Sequence, residues 1–300
     1  MRALRALVIY VVFVFLGGAL LAPWLYRLVQ TVAPSFPLLA HAPFHRFMDR
    51  SLLLLALAGL WPLLRAFGAT AARDVGLLPP RGQWKKFWGG LLLGSLTLGV
   101  AAGTAIGSGD RILAPNLTAH KIFGTIFNAI AAAAVVASIE EILFRGGIFG
   151  GLRRHFYWPL ALVVSSLIYA LVHFLQPADP AGPVVWNTGL VLLPRMLGGF
   201  LDFSALVPGV FTLTLAGILL GLAYQRTGNL YFSIGLHAAW VFWLKTYGAF
   251  TADVPRAVTW FCGTGRLIDG WLTFMVLAAT LAGFNFLPLK PAREPFAISR

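Results

Sequence analysis

Hydrophobic and polar positions separate into blocks along this chain instead of alternating within them. Apolar runs at 6–25, 51–67, 88–107, 122–152, 158–176, 207–225, 231–247 and 271–288 are divided by short segments that hold most of the charge. Crossing a bilayer takes roughly 20 consecutive apolar residues, and runs interrupted by glycine stay helical where neighbouring helices cover the backbone. The pattern predicts an all-α polytopic membrane protein with about eight transmembrane helices, forming a single integral membrane domain over 1–300. The stretch QPADPAGPVVWNTGLVLLPRMLGGFLDFSALVP fits neither a span nor a polar loop, because Pro194 and Gly198-Gly199 break its apolar pieces. It predicts an interfacial or re-entrant segment near 177–206, either a lid over a site or a connector resting on lipid. No long-period repeat, low-complexity tract or soluble domain interrupts the series.

Composition agrees with the pattern. Of 300 residues 59% are hydrophobic and 11% charged, with a mean hydropathy of +0.81, whereas a soluble domain carries about 25% charge. The net charge of +13 raises the question of nucleic acid, but the Lys and Arg lie between apolar runs and form no single basic face. They fit the positive-inside bias of membrane loops. With the N-terminus inside, 14 of the 23 basic residues fall on the inner side, which predicts cytoplasmic N- and C-termini. The opening MRALRALVIYVVFVFLGGALLAPW begins as a signal peptide does, yet its run from Ala6 to Ala22 exceeds the usual h-region, so an uncleaved first span is expected. The single cysteine, Cys262, has no partner for a disulfide and no adjacent histidine, and reads as incidental.

Charges deep in a membrane are costly and mark functional sites by default. Within SIEEILFRGG, Glu140 and Glu141 are the only acidic residues placed inside a span. Glu141 and Arg145 stand four apart, the spacing and order that favour an ion pair, and a paired charge is far cheaper to bury. Glu140 lies about 100° around the helix, without a local partner, and is the better candidate general base. His173 and His237 fall in later apolar runs. A 1.5 Å rise puts Glu140 roughly 20 Å and His173 roughly 24 Å from the turn between the fourth and fifth spans, but His237 only roughly 12 Å deep. His237 would need a tilted or more deeply seated helix to join them. Gly146, Gly147, Gly150 and Gly151, and the GxxxG pair Gly217 and Gly221, read as close-packing positions.

EEILFRGGIFGGL, then YALVHF, then GILLGLAYQRTGNLYFSIGLHAAW together resemble the family of CAAX-type prenyl proteases and bacteriocin-processing or abortive-infection-type enzymes, which are intramembrane proteases. The family's EExxxR is matched by Glu140, Glu141 and Arg145. Its FxxxH is matched by Tyr169 to His173 with an aromatic exchange, and its HxxxN by His237 with Val241 in place of asparagine. The likeness covers about 122–247, the expected catalytic core. It implies hydrolysis of peptide bonds in membrane-tethered protein or peptide substrates, in the lipid bilayer of a bacterial or archaeal cell (inner) membrane, with no nucleic acid partner. Glu140 and His173 would activate a water, Arg145 would hold Glu141, and His237 with residue 241 would stabilise the oxyanion. Val241 cannot donate a hydrogen bond, and losing one oxyanion donor typically costs about 10²- to 10³-fold in rate; the indole N–H of Trp240 is one candidate substitute. Members of the family are read both as metal-dependent and as glutamate-based enzymes. Glu140, His173 and His237 are of the right types to bind Zn²⁺ with an open position for water, and the sequence leaves occupancy open.

Two other classes compete with the endopeptidase. Val241 motivates a catalytically silent relative acting as a membrane scaffold or chaperone. The buried carboxylates alone would suit a proton-coupled transporter, against which stands the lack of a detectable inverted repeat.

Overall fold

The computed structural model describes residues 2–32, 42–255 and 257–287. Of the basic residues used to orient the chain, Arg256, Lys290, Arg293 and Arg300 lie outside the described residues. The helices in chain order are α1 (Arg2–Val32), α2 (Phe44–Ala66), α3 (Trp84–Gly107), α4 (Ala119–Leu152), α5 (Trp158–Val172), α6 (Thr188–Met196), α7 (Phe203–Thr227), α8 (Tyr231–Phe250), α9 (Thr259–Cys262) and α10 (Trp271–Gly283). Two short strands, β1 (Arg111–Leu113) and β2 (Thr251–Asp253), pair antiparallel with Ile112 opposite Ala252.

The eight predicted runs fall on α1 to α5, α7, α8 and α10. Among the described residues, five helices, α1 to α4 and α7, are long and apolar enough to cross a membrane. The expectation of eight therefore counts shorter helices, α5 and α10, and α8, which carries His237 and Lys245 along its 20 residues. The protein is an all-α, polytopic integral membrane protein. Its outer surface shows why. Trp88, Leu92, Leu96 and Val100 form an exposed stripe on α3, and Phe123, Phe127 and Ile130 do the same on α4. Stripes of this kind are stable against hydrocarbon and a liability against water.

The chain divides into two compact units, 1–70 with 172–202, and 71–171 with 203–300. In the first, α1 lies against α2, with the Tyr10 hydroxyl donating to the Ala56 carbonyl at 2.9 Å. The segment expected to be interfacial contains α6 and a 3-10 turn at Leu197–Phe200. Too short to span, α6 buries Leu192 and Met196 with Ala19, Ala22, Phe44 and Met48. It belongs to the core of its unit.

The second unit is organised around α8, which packs along both α3 and α4. Close approach is set by glycine: a Cβ added at Gly90 would meet the Phe232 carbonyl, and one at Gly235 the Phe87 carbonyl. Gly217 and Gly221 likewise face Ser166 and Leu162 of α5, as the GxxxG spacing predicted. Asn229 and Leu230, just before α8, are fully buried. The Leu230 N–H donates to Gly76 O at 3.1 Å, and Asn229 Oδ1 accepts from the Tyr231 N–H at 3.2 Å, so α8 starts well inside the unit. Beyond α3, the Asp110 carboxylate accepts from the Val258 N–H at 2.6 Å, Ser108 Oγ at 2.7 Å and Cys262 Sγ at 3.1 Å. These donors, the backbone N–H foremost, hold its carboxyl below the usual carboxylate range. Cys262 thus helps close a loop, where the sequence suggested no role.

Gly90→Val should lower stability by about 1–3 kcal/mol, the usual cost of overpacking. Gly103→Ala on the same helix, where an added Cβ meets nothing, should leave it unchanged or slightly higher. Thermal unfolding in detergent micelles compares the two.

Candidate active site

The face of α4 that carries Ala129, Ala133 and Ala137 is buried, and Glu141 extends it by one further turn. There the helix widens. Residues Ala119–Glu140 are α-helical, Glu141–Phe149 form a π-helical stretch, and Gly150–Leu152 return to α geometry. Such widenings are rare and concentrate at functional sites. Gly146 sits in this stretch with room for no Cβ, which would lie 2.8 Å from the Val75 carbonyl oxygen.

Glu141 is completely buried. Its Oε1 is 2.9 Å from Arg145 Nη1 and 2.9 Å from His237 Nδ1, so the predicted pair exists and a histidine from α8 joins it. With Glu141 ionised beside Arg145, the imidazole proton sits on Nδ1 and is donated to Oε1, which leaves the Nε2 lone pair pointing away from Glu141. Nε2 stands 3.8 Å from Glu140 Oε2. That gap is too long for a direct hydrogen bond and of the size that one bridging water spans. The Glu140 side chain is 25% exposed and that of Glu141 0%, so Glu140 is the more accessible of the two carboxylates, although its Oε2 is itself buried. The sequence reading left Glu140 without a neighbour on its own helix; the neighbour comes from α8.

His237 also meets Tyr169, whose hydroxyl is 3.5 Å from Nε2. The Tyr169 ring is buried on α5, with Phe144 edge-on at 5.1 Å between centroids and the Arg145 guanidinium 4.3 Å from its centroid. The sequence marked Tyr169 only as an aromatic exchange four positions before His173. Its extra hydroxyl was the available signal.

The shallow placement expected for His237 does not hold. Nine of the residues between Glu140 and the end of α4 are in the wider π form, so a uniform 1.5 Å rise overstates the depth of Glu140. The buried Asn229–Leu230 start also seats α8 deeper than its sequence position suggested. Trp240 is not available as a substitute donor, because its indole N–H donates to Thr97 Oγ1 on α3 at 2.9 Å. Val241 packs with Ala133, Ala137 and Ala238. His173 follows the last residue of α5 and belongs to the first unit, whereas Glu140, Glu141, Arg145 and His237 all belong to the second.

For a metal, the second unit offers Glu140 Oε2 and His237 Nε2 as two donors facing each other. No group of three or more His, Cys, Asp or Glu side chains suited to a metal occurs among the described residues. Two donors are one fewer than the three that the resemblance implies for Zn²⁺.

Helices with lipid-type surfaces and a buried Glu-Arg-His cluster characterise this integral membrane protein. Residues 122–243 match the family model described as type II CAAX prenyl endopeptidase Rce1-like. Over that stretch, about two fifths of the chain, the protein is similar to the CAAX protease family to which its motifs pointed. No curated protein and no solved structure matches the chain.

Breaking a buried ion pair by removing one partner costs about 3–5 kcal/mol. Arg145→Ala should therefore destabilise the protein by that order, and Glu141→Gln, which removes the charge and keeps the shape, by less. Denaturant unfolding in micelles separates the two variants.

Proposed function

We propose that the protein is an intramembrane endopeptidase of a bacterial or archaeal cell membrane, acting on membrane-tethered protein or peptide substrates. The observation that carries this reading is the 3.8 Å opening between Glu140 Oε2 and His237 Nε2, backed by the sealed Glu141–Arg145 pair. A water placed there donates one hydrogen to Glu140 and the other to the Nε2 lone pair. As its oxygen bonds to the scissile carbonyl carbon, Glu140 takes the first proton, acting as general base. Collapse of the tetrahedral adduct breaks the C–N bond, and the proton held by Glu140 passes to the leaving nitrogen. The immediate products are a carboxylic acid and an amine, and passage of the acid proton to the amine gives carboxylate and ammonium. Glu141 fixes the tautomer and direction of His237, as carboxylates do for catalytic histidines, and Arg145 fixes Glu141.

Val241 supports a second reading, a relative that binds its targets without cutting them. In an apolar packing position it contributes no polar group to the site.

Wild-type protein in proteoliposomes should cleave a membrane-tethered peptide, and Glu140→Gln should reduce the rate by at least about 10²-fold, the lower range for a general base, while retaining substrate for identification by mass spectrometry. Cleavage that survives Glu140→Gln would remove the mechanism. A wild type that cleaves nothing, together with an active Val241→Asn, would establish the silent relative. His173→Ala tests the part assigned to that residue by the resemblance: an undiminished rate would take it out of the reaction. Emission spectrometry on an active preparation decides the metal question, with stoichiometric zinc expected for a metalloenzyme and none for a glutamate-based one.

A further inference from the structure

The two ends of the second unit differ in charge. Gly90 faces Phe232 and Gly94 faces Leu236, so α3 and α8 run parallel and begin at the same end. The chain leading into α3 is tied there too: Arg154 Nη2, just beyond α4, donates to the Asp74 carbonyl at 3.2 Å, and the Tyr231 hydroxyl donates to the Leu78 carbonyl at 2.7 Å. This end carries Arg73, Arg81, Lys85, Lys86, Arg154 and Arg226, all exposed or half-buried. Asp74 is the one acidic residue in the same segments, and its Oδ2 accepts from the Ala71 N–H at 2.9 Å. The opposite end is mixed, with Asp110, Asp253 and Asp269 among its basic residues.

Helix α3 joins this basic end to the lipid-facing surface. Trp84, Trp88, Leu92, Leu96 and Val100 follow one another at every fourth position and are all exposed, so they form one line along the helix. Lys85 stands three residues before Trp88, beside that line. Arg81, Lys85 and Lys86 form no ion pair among the described residues. The first turn of α3 holds both lysines and no acidic residue, which sets cations against the positive end of the helix dipole. Exposed Trp84, Tyr157 and Trp158 at the same end are side chains of the kind that settle at headgroup level.

We propose that Arg81, Lys85 and Lys86 form a binding site for an anionic phospholipid, its headgroup phosphate against the three cations and its acyl chains along Trp88, Leu92 and Leu96. The apolar stems of the lysines lie along the stripe while their ammonium groups reach the headgroup. A zwitterionic lipid fits the stripe equally well but brings no net charge to the cations, so the site selects by headgroup. This assignment is independent of the endopeptidase reading, because none of the three residues belongs to the Glu140–His237 centre.

The whole protein, purified in detergent, is titrated with phosphatidylglycerol or with phosphatidylcholine of the same acyl chains, and bound lipid is counted by native mass spectrometry. Phosphatidylglycerol should bind more tightly. Each basic residue near an anionic surface contributes a factor of about 5, so the triple variant Arg81→Ser, Lys85→Ser, Lys86→Ser should weaken phosphatidylglycerol by at least about 10-fold and leave phosphatidylcholine unchanged. Arg81→Lys with Lys85→Arg and Lys86→Arg should keep the preference. Lys121→Ser with Arg266→Ser, at the opposite end, should keep it as well. Equal binding of the two lipids by the wild type overturns the assignment, as does an undiminished preference in the triple serine variant. An equal loss in the opposite-end variant would mark an effect of net charge and also overturns it. Capture of an acidic peptide through these residues, without a lipid preference, would give the patch to a protein partner instead. Should the triple serine variant not fold, the exposed single variants Arg81→Ser and Lys85→Ser decide, a weakened phosphatidylglycerol affinity supporting the site and wild-type affinity in both overturning it.

Discussion

The rest of the second unit is arranged around one fully buried carboxylate. Glu141 has no exposure to solvent, and an unpaired charge in that position would cost more than most single interactions in a fold contribute. Arg145, one turn along the same helix, and His237, from α8, both reach Oε1 at 2.9 Å. Pairing Glu141 Oε1 therefore fixes more than a pair of side chains. It sets the register of α8 against α4. The glycine contacts of Gly90 and Gly235 hold α8 to α3, and the buried Asn229–Leu230 turn sets where α8 begins.

That constraint also separates the two adjacent glutamates chemically. Consecutive residues on a helix point in different directions, and here one direction leads into the packed interior and the other to the accessible edge. Glu141 is fully buried, and its Oε1 lies within 2.9 Å of both Arg145 and His237. Glu140, a quarter exposed, faces the ring nitrogen that remains. The widened helical stretch beginning at Glu141 lies between this site and the end of α4, where a regular helix would have placed the same residues differently. A two-point hold on imidazole, carboxylate on one nitrogen and reaction space at the other, suits water activation in a site with few polar groups. Glu140, Glu141, Arg145 and His237 all lie within residues 122–243, the stretch that matches a CAAX endopeptidase family model.

Much was legible before any fold was known. Long apolar runs report helices and membrane because the bilayer imposes length and composition together, and all eight runs fall on helices. The Glu141–Arg145 pair was legible because both residues share one helix, where spacing alone sets distance. What failed involved contacts between helices. Depth counted from a turn misplaced His237, since the count assumed one helical rise and a superficial start for α8. Trp240 looked free to donate because nothing in its neighbourhood in sequence suggests Thr97, 143 positions away. Of the eight runs, five fall on helices long and apolar enough to cross a membrane, and the other three on α5 and α10, which are shorter, and on α8, which carries His237 and Lys245.

From the sequence alone follow the membrane class, the helices and the identity of the charged residues, all properties carried by local composition and period. The tertiary structure alone decided which nitrogen of His237 faces which glutamate, that Trp240 turns to α3, and that Tyr169 reaches the same centre. The physical reason is that a hydrogen bond between helices depends on their relative rotation, depth and separation to within a fraction of an ångström. Those quantities come from packing at glycines and from the need to pair a buried charge, and no single segment of the chain contains them.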